Sequence, residues 1–228
     1  MPHLTPEKFL GSNVLPPEWA AANVAFVCFT PFPNGLKTYV EEPAPERYFL
    51  HTPNSEVRLC RYQRIPFIVV SEVYGFAVGA TTVEELVHHG IKYIIAIGYA
   101  GAFNAVPVGQ PFVATDIMSD LLLAAHYGVR EYVRSAPIEK LYQLVNACIQ
   151  DDAADWGHYT VWTGNSLYRE SPQLEHYLDR YGHLRPLSLA VAVPVYSSVT
   201  GQFAEFTLRN RRDRYAYICH DQKEAGPS

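Results

Sequence analysis

Two apolar runs limit the kind of fold open to this chain. Val24-Ala25-Phe26-Val27-Cys28-Phe29 and Lys92-Tyr93-Ile94-Ile95-Ala96-Ile97 show no polar alternation, so each reads as a strand covered on both faces. The first is halted by Thr30-Pro31-Phe32-Pro33-Asn34-Gly35 and the second by Gly98-Tyr99-Ala100-Gly101. Between them, Ala77 to His89 carries helical spacing (Val78, Thr82, Leu86) and stops at Gly90. Covered strands alternating with a helix describe an α/β chain, with a central mixed sheet flanked by helices.

The remaining segments extend that pattern. Residues 56–62 and 67–72 read as a hairpin with Arg64-Ile65-Pro66 between its strands. Further strands are expected at Phe112–Ile117, Tyr159–Thr163, Leu187–Val193 and Tyr215–Cys219. A helix over 137–150 is expected to bury Ile138, Leu141, Leu144, Val145 and Cys148, with a shorter helix from Pro172 to Tyr181. A weakly amphipathic stretch holds Val199, Phe203 and Phe206. Residues 1–22 read as a Pro- and Ala-rich arm, and residues 23–228 as one domain without internal repeats.

Composition narrows the function. A net charge of −5, with no basic run beyond the neighbourhood of Arg211-Arg212, argues against nucleic acid as a partner. No apolar stretch is long enough to span a bilayer and the N-terminus lacks a signal pattern, so a cytoplasmic protein is expected. Cys28, Cys60, Cys148 and Cys219 show no CxxC spacing and are expected as buried free thiols. No His/Cys/Asp/Glu grouping has metal-ligand spacing, and neither G-x-S-x-G nor a Walker A pattern occurs; neither metal nor cofactor is expected.

From Val73 to Ile117 the order of motifs resembles the nucleoside phosphorylase superfamily, which includes purine nucleoside and uridine phosphorylases and methylthioadenosine nucleosidases. The segment runs through Gly75, Glu84-Glu85-Leu86, Gly90-Ile91-Lys92, Gly98-Tyr99-Ala100-Gly101 and Val108-Gly109-Gln110. Asp120 with His126-Tyr127, then Thr163 to Glu170, then Tyr217-Ile218-Cys219-His220-Asp221 continue it. The resemblance implies a small-molecule, nucleoside-like substrate. It places Asp221 as the acid for the departing base, a role that calls for a carboxyl still protonated near neutral pH. Asp221 otherwise reads as a cap on its strand.

The phosphate ligands that the resemblance implies are replaced. Pro31 stands where a glycine is expected, Gly35 near an arginine, Ala96 at a second arginine and Tyr99 at a small hydroxyl residue. A dianion without a nearby cation is poorly compensated in a dry site, so hydrolysis is expected over phosphorolysis. Ser197-Ser198 replaces the Met-Glu pair that holds ribose, and a serine cannot grip a diol as a carboxylate does.

Catalytic candidates are therefore Asp221 and Ser198. Binding candidates are Glu72, Tyr74, Gly75, Tyr99, Ala100, Gly101, Tyr168 and Ser197, with the aromatic members suited to stacking. Glu72 is expected at a strand end facing the ligand crevice or else solvent; His88-His89 is expected at the surface. Three functions fit: cleavage of an N-glycosidic bond, a non-glycosidic lyase or cyclase step in specialised metabolite biosynthesis, and binding or storage without catalysis. The Thr38–Asn54 loop, with Tyr39, Val40, Tyr48, Phe49 and Leu50, is expected at a homodimer or trimer-of-dimers interface unless it folds back on its own domain.

Overall fold

The computed structural model describes residues 5–11, 13, 15–43, 48–49, 56–102, 109–119, 139–150, 155–163, 186–188, 195–197 and 202–204. The chain divides into two compact units, Met1–Ile97 with Val193–Ala204 and Gly98–Ala192 with Glu205–Ser228. The first holds β1 (Val24–Cys28), β2 (Val40–Pro43), β3 (Val57–Tyr62), β4 (Ile65–Val70) and β5 (Tyr93–Ile97) in one sheet, ordered β2-β3-β4-β1-β5. β1 runs parallel to both β4 and β5, with Ala25 level with Ile68 and Ile94. β3 is antiparallel to β2 and β4, so the sheet is mixed.

Parallel strands need a crossover, and α3 (Phe76–His88) supplies it from β4 to β5, on the far side of β1. Glycines set its limits: Gly75 before it has φ 93° and Gly90 after it φ 88°, a backbone region that side chains disfavour. Along one sheet face lie Phe26, Cys28, Cys60, Phe67 and Val69, packed with Phe32, Leu36 and Tyr39 from the loop and 3-10 turn (Asn34–Tyr39) after β1. On the other face Ala25, Val27, Ile68, Val70, Ile94 and Ala96 are all buried. The second face is buried outright, whereas the first is covered only in part: Phe26, Ile95 and Ile97 are partly exposed and Tyr93 is 46% exposed, so β5 is not covered on both faces as its unalternating run suggested. Burial pushes both inner thiols up, Cys60 to about 11 and Cys28 further, which leaves them protonated and inert.

The segment before β1 folds onto this unit. α1 (Pro6–Leu10) lies against α3, and α2 (Pro17–Ala20) against β4. Trp19 is fully buried, its ring 6.2 Å from that of Tyr48. Tyr48 and Phe49 are only 3% and 1% exposed, so these two side chains of the expected interface loop are already sheltered within their own chain.

The second unit holds β6 (Gly101–Ala102), β7 (Phe112–Ser119), α4 (Glu139–Gln150), β8 (Gly157–Thr163) and β9 (Pro186–Ser188). Its sheet is ordered β6-β9-β8-β7, parallel from β7 to β9 and antiparallel at β6. Val145 of α4 packs on Val113 of β7, joined by Tyr142, Ile149 and Trp156.

Several expectations need correction. β4 begins at Ile65 and ends at Val70 rather than spanning 67–72. Pro66 is tolerated there because β1 pairs with β4 only from Ile68 onward. In α4 the inward stripe is Val145, buried, with Tyr142 and Ile149 partly buried beside it; Leu144 is 57% exposed and Cys148 is exposed, while Ile138 and the Leu141 side chain lie outside the described residues. The stripe is chosen by what Val113 and Trp156 offer, not by the most apolar helix face. Residues 199–206, expected as one amphipathic stretch, include a strand instead: β10 (Val195–Ser197) pairs antiparallel with β11 (Gln202–Ala204) beside β5 and α3. The expected helix 172–181 and strand 215–219 lie outside the described residues.

Candidate functional site

The connections of the first unit part at β1. The chain leaves its carboxyl end toward β4, and β5 later enters on its other side. In open α/β sheets, ligands lie beyond the carboxyl ends of the strands at such a point. Here the edge is formed by Phe29–Pro33 after β1, Ser71–Gly75 after β4, and Ile97 at the end of β5.

These segments are tied together by their backbones. The Phe29 N–H donates to the Ile97 carbonyl (2.8 Å), Glu72 N–H to Thr30 (2.9 Å) and Val73 N–H to Cys28 (3.1 Å). Two buried hydroxyls fix them further: Thr30 Oγ1 donates to the Pro31 carbonyl (2.9 Å), and Ser71 Oγ to Glu56 Oε2 (2.9 Å). Buried polar groups with partners of this kind hold a loop in one conformation.

Glu72 is the unusual member. It lies two residues beyond β4, not at the strand end, with φ 58°. A non-glycine residue costs about 1–2 kcal/mol in this region, and the backbone bonds from Glu72 to Thr30 and from Val73 to Cys28 hold the turn there against that cost. Tyr74 beside it is 51% exposed, and Gly75 opens α3. The structure therefore brings Glu72, Tyr74 and Gly75 onto one short loop. Ser197 lies in β10, the strand beside β5 and α3. Tyr99, Ala100 and Gly101 belong to the second unit, where Ala100 is buried and Gly101 begins β6. Asp221, Ser198 and Tyr168 lie outside the described residues.

At the positions where the resemblance implies phosphate ligands, Ala96 is 1% exposed on β5, level with Val27. Pro31 is exposed, and Gly35 lies inside the 3-10 turn. The edge segments carry no Lys or Arg. One cation flanks them: the Arg58 guanidinium carbon lies 5.4 Å from the Phe32 ring centroid. Arg58 was not among the sequence candidates, because its place depends on a β3 register that brings it to a loop residue 26 positions earlier. Among the described residues there is no group of three or more His, Cys, Asp or Glu placed to hold a metal ion.

His88 and His89 are not surface residues, as their place at a helix end suggested; both are partly buried. His88 faces Glu7 of α1, with 3.8 Å between Nδ1 and Oε1. His89 Nε2 donates to the Tyr48 carbonyl (3.1 Å), and its ring meets those of Tyr48 and Phe49 edge-on. A carbonyl only accepts, so the Nε2 proton is fixed. Burial holds the His89 pKa below its ordinary 6.5.

Residues 23–193 match the family described as Phosphorylase superfamily. Uncharacterized protein R802 of Acanthamoeba polyphaga mimivirus is 36% identical over 172 residues, which are 75% of this chain and 66% of that relative. The chain thus spans just under two thirds of that relative's length. Uridine phosphorylase from Vibrio fischeri ES114, complexed with 6-hydroxy-1-naphthoic acid, is similar with a TM-score of 0.62 at 17% identity, over 89% of this chain and 84% of that one. Futalosine hydrolase of Helicobacter pylori strain 26695 gives 0.62 at 15% identity, over 89% and 90%. The 5'-methylthioadenosine/S-adenosylhomocysteine nucleosidase of the same species, with butyl-thio-DADMe-Immucillin-A, gives 0.61 at 15%, over 88% and 90%. At these identities the likeness establishes a nucleoside phosphorylase-like fold and nothing finer. No helix among the described residues is long and apolar enough to cross a membrane.

Proposed function

The chain belongs to the phosphorylase superfamily, and from that premise we propose that it cleaves the N-glycosidic bond of a nucleoside or nucleoside-like small molecule, by hydrolysis rather than phosphorolysis. The observation that carries the hydrolytic choice is Ala96, a buried methyl group where the resemblance calls for a guanidinium. Attack by a phosphate dianion needs fixed positive charge at the nucleophile's position, and water does not. Pro31 and Gly35 weaken the same position further.

In this reading Asp221 protonates the departing base, and Ser197 and Ser198 make single hydrogen bonds to the sugar. Glu72, Tyr74 and Gly75 line the entrance at the sheet edge, the tyrosine ring stacking on a planar base. Tyr99, Ala100, Gly101 and Tyr168 are assigned to the same substrate by their places in the motif order. A homodimer is part of the proposal, supported by the family resemblance rather than by exposed loop side chains.

The test is release of free base from adenosine, inosine, uridine and methylthioadenosine, with and without phosphate. Release in phosphate-free buffer is expected, lost in Asp221→Asn. Strict dependence on phosphate overturns the hydrolytic assignment; equal turnover in Asp221→Asn overturns the role of the aspartate.

A further inference from the structure

We propose that Arg58 and Phe32 form an oxyanion-recognition site on the flank of the sheet edge, receiving a carboxylate or phosphate group carried by the substrate. The inference deepens the nucleoside-directed reading and rests on it. Arg58 is partly buried and, among the described residues, its guanidinium has neither a carboxylate nor a hydrogen-bond partner; it meets the Phe32 ring and acts on the protonated Cys60 thiol. Elsewhere on the same strand the chain satisfies such a group: Arg61 Nη2 donates to Glu41 Oε2 at 3.0 Å, and its Nε makes a second bond to the same carboxylate. Two arginines three residues apart on β3 therefore differ in what completes them.

The place suits a ligand. β3 is antiparallel to β4, so its first residues lie at the carboxyl end of β4: Val57 is level with Val70 and Arg58 with Val69. Phe32 comes from the loop after β1 and packs on Cys28, Cys60, Phe67 and Val69, which holds the ring still beneath the guanidinium. A guanidinium resting against a ring spends none of its N–H groups on a hydrogen-bond acceptor there, which leaves them for the paired oxygens of a carboxylate or phosphate. Glu56, the nearby acid, is already bound by Ser71.

The site is not a disguised position for an attacking phosphate. In the order β3-β4-β1-β5, Arg58 is three strand spacings, about 14 Å, from the strand of Ala96. It reaches a substituent of the substrate, not the nucleophile's place beside β5.

The full chain is to be titrated with inorganic phosphate and with acetate, and separately with adenosine and adenosine 5'-monophosphate. Wild type is expected to bind phosphate or acetate, whichever matches the natural group, and to prefer the monophosphate to adenosine if that group is phosphate. Arg58→Gln is expected to weaken anion binding about tenfold with adenosine binding unchanged, and Arg58→Lys to weaken it less. Phe32→Leu, which keeps the charge and loses the ring, is expected to show a partial loss and covers the case in which Arg58→Gln fails to fold. Neither anion binding to wild type, or anion binding indifferent to both positions, overturns the inference even if adenosine binds. Arg58-dependent anion binding with no nucleoside binding upholds the site and removes the nucleoside reading instead.

Discussion

Glu72 holds a backbone conformation that glycine would adopt without strain. Glycine would serve stability better there, as it would at Gln63, whose φ is 56°, so the two roles of the side chain are separable by substitution. Glu72→Gly is expected to raise unfolding free energy by up to about 1 kcal/mol, read by calorimetry, while weakening ligand binding. A loss of stability would mean that the side chain itself anchors the loop. His89 makes an opposite wager on pH. Its folded pKa is depressed, so above 6.5 neither folded nor unfolded chain binds the proton and stability is complete. As pH falls below that value the unfolded chain protonates first, and stability declines until the folded pKa is reached. His89→Gln keeps a donor for the Tyr48 carbonyl without titrating, so its melting temperature is expected to fall less between pH 7 and 5; parallel curves would rule out this histidine as the source.

Among elements, α4 separates what a pattern reveals from what packing decides. Helical spacing announced a helix over 137–150 and gave it one inner face, through Leu144, Val145 and Cys148, which packing does not adopt. Val113 and Trp156 settle the choice for Tyr142, Val145 and Ile149, and Val113 is remote in sequence. Val145→Ala is expected to cost about 2 kcal/mol in urea unfolding, and Leu144→Ala within about 0.5. Equal costs would return the buried face to the original reading. The strands β1 and β5 were legible as apolar runs between turn residues, but not the partial exposure of one face of β5, where Tyr93 is 46% exposed. The start of β4 was hidden by Pro66, which reads as a break until the limits of pairing with β1 are known. Gly75 could be marked as a turn from sequence, whereas Glu72 was read as a strand end and lies two residues beyond β4; Arg58 could not be found, since nothing local announces a register.

At the scale of the whole molecule, the segment ahead of β1 packs into the first unit, and how much stability it carries can be measured. Trp19 is fully buried and meets Tyr48. Trp19→Ala is expected to lower stability by about 3–5 kcal/mol, enough to consume a large share of what a domain has. A shift below 1 kcal/mol would make this segment an appendage after all. Light scattering at micromolar concentration tests the proposed homodimer, since a mass near 25.7 kDa rules it out. The two inner sulfurs then offer a stopwatch. Cys28 and Cys60 are sealed within one sheet face, whereas Cys148 stands in the open on α4. An alkylating reagent added to the native protein reaches the last at once and the first two only when β1, β3 and β4 come apart. Mass analysis of those two peptides over time would count openings of the sheet that carries the candidate site.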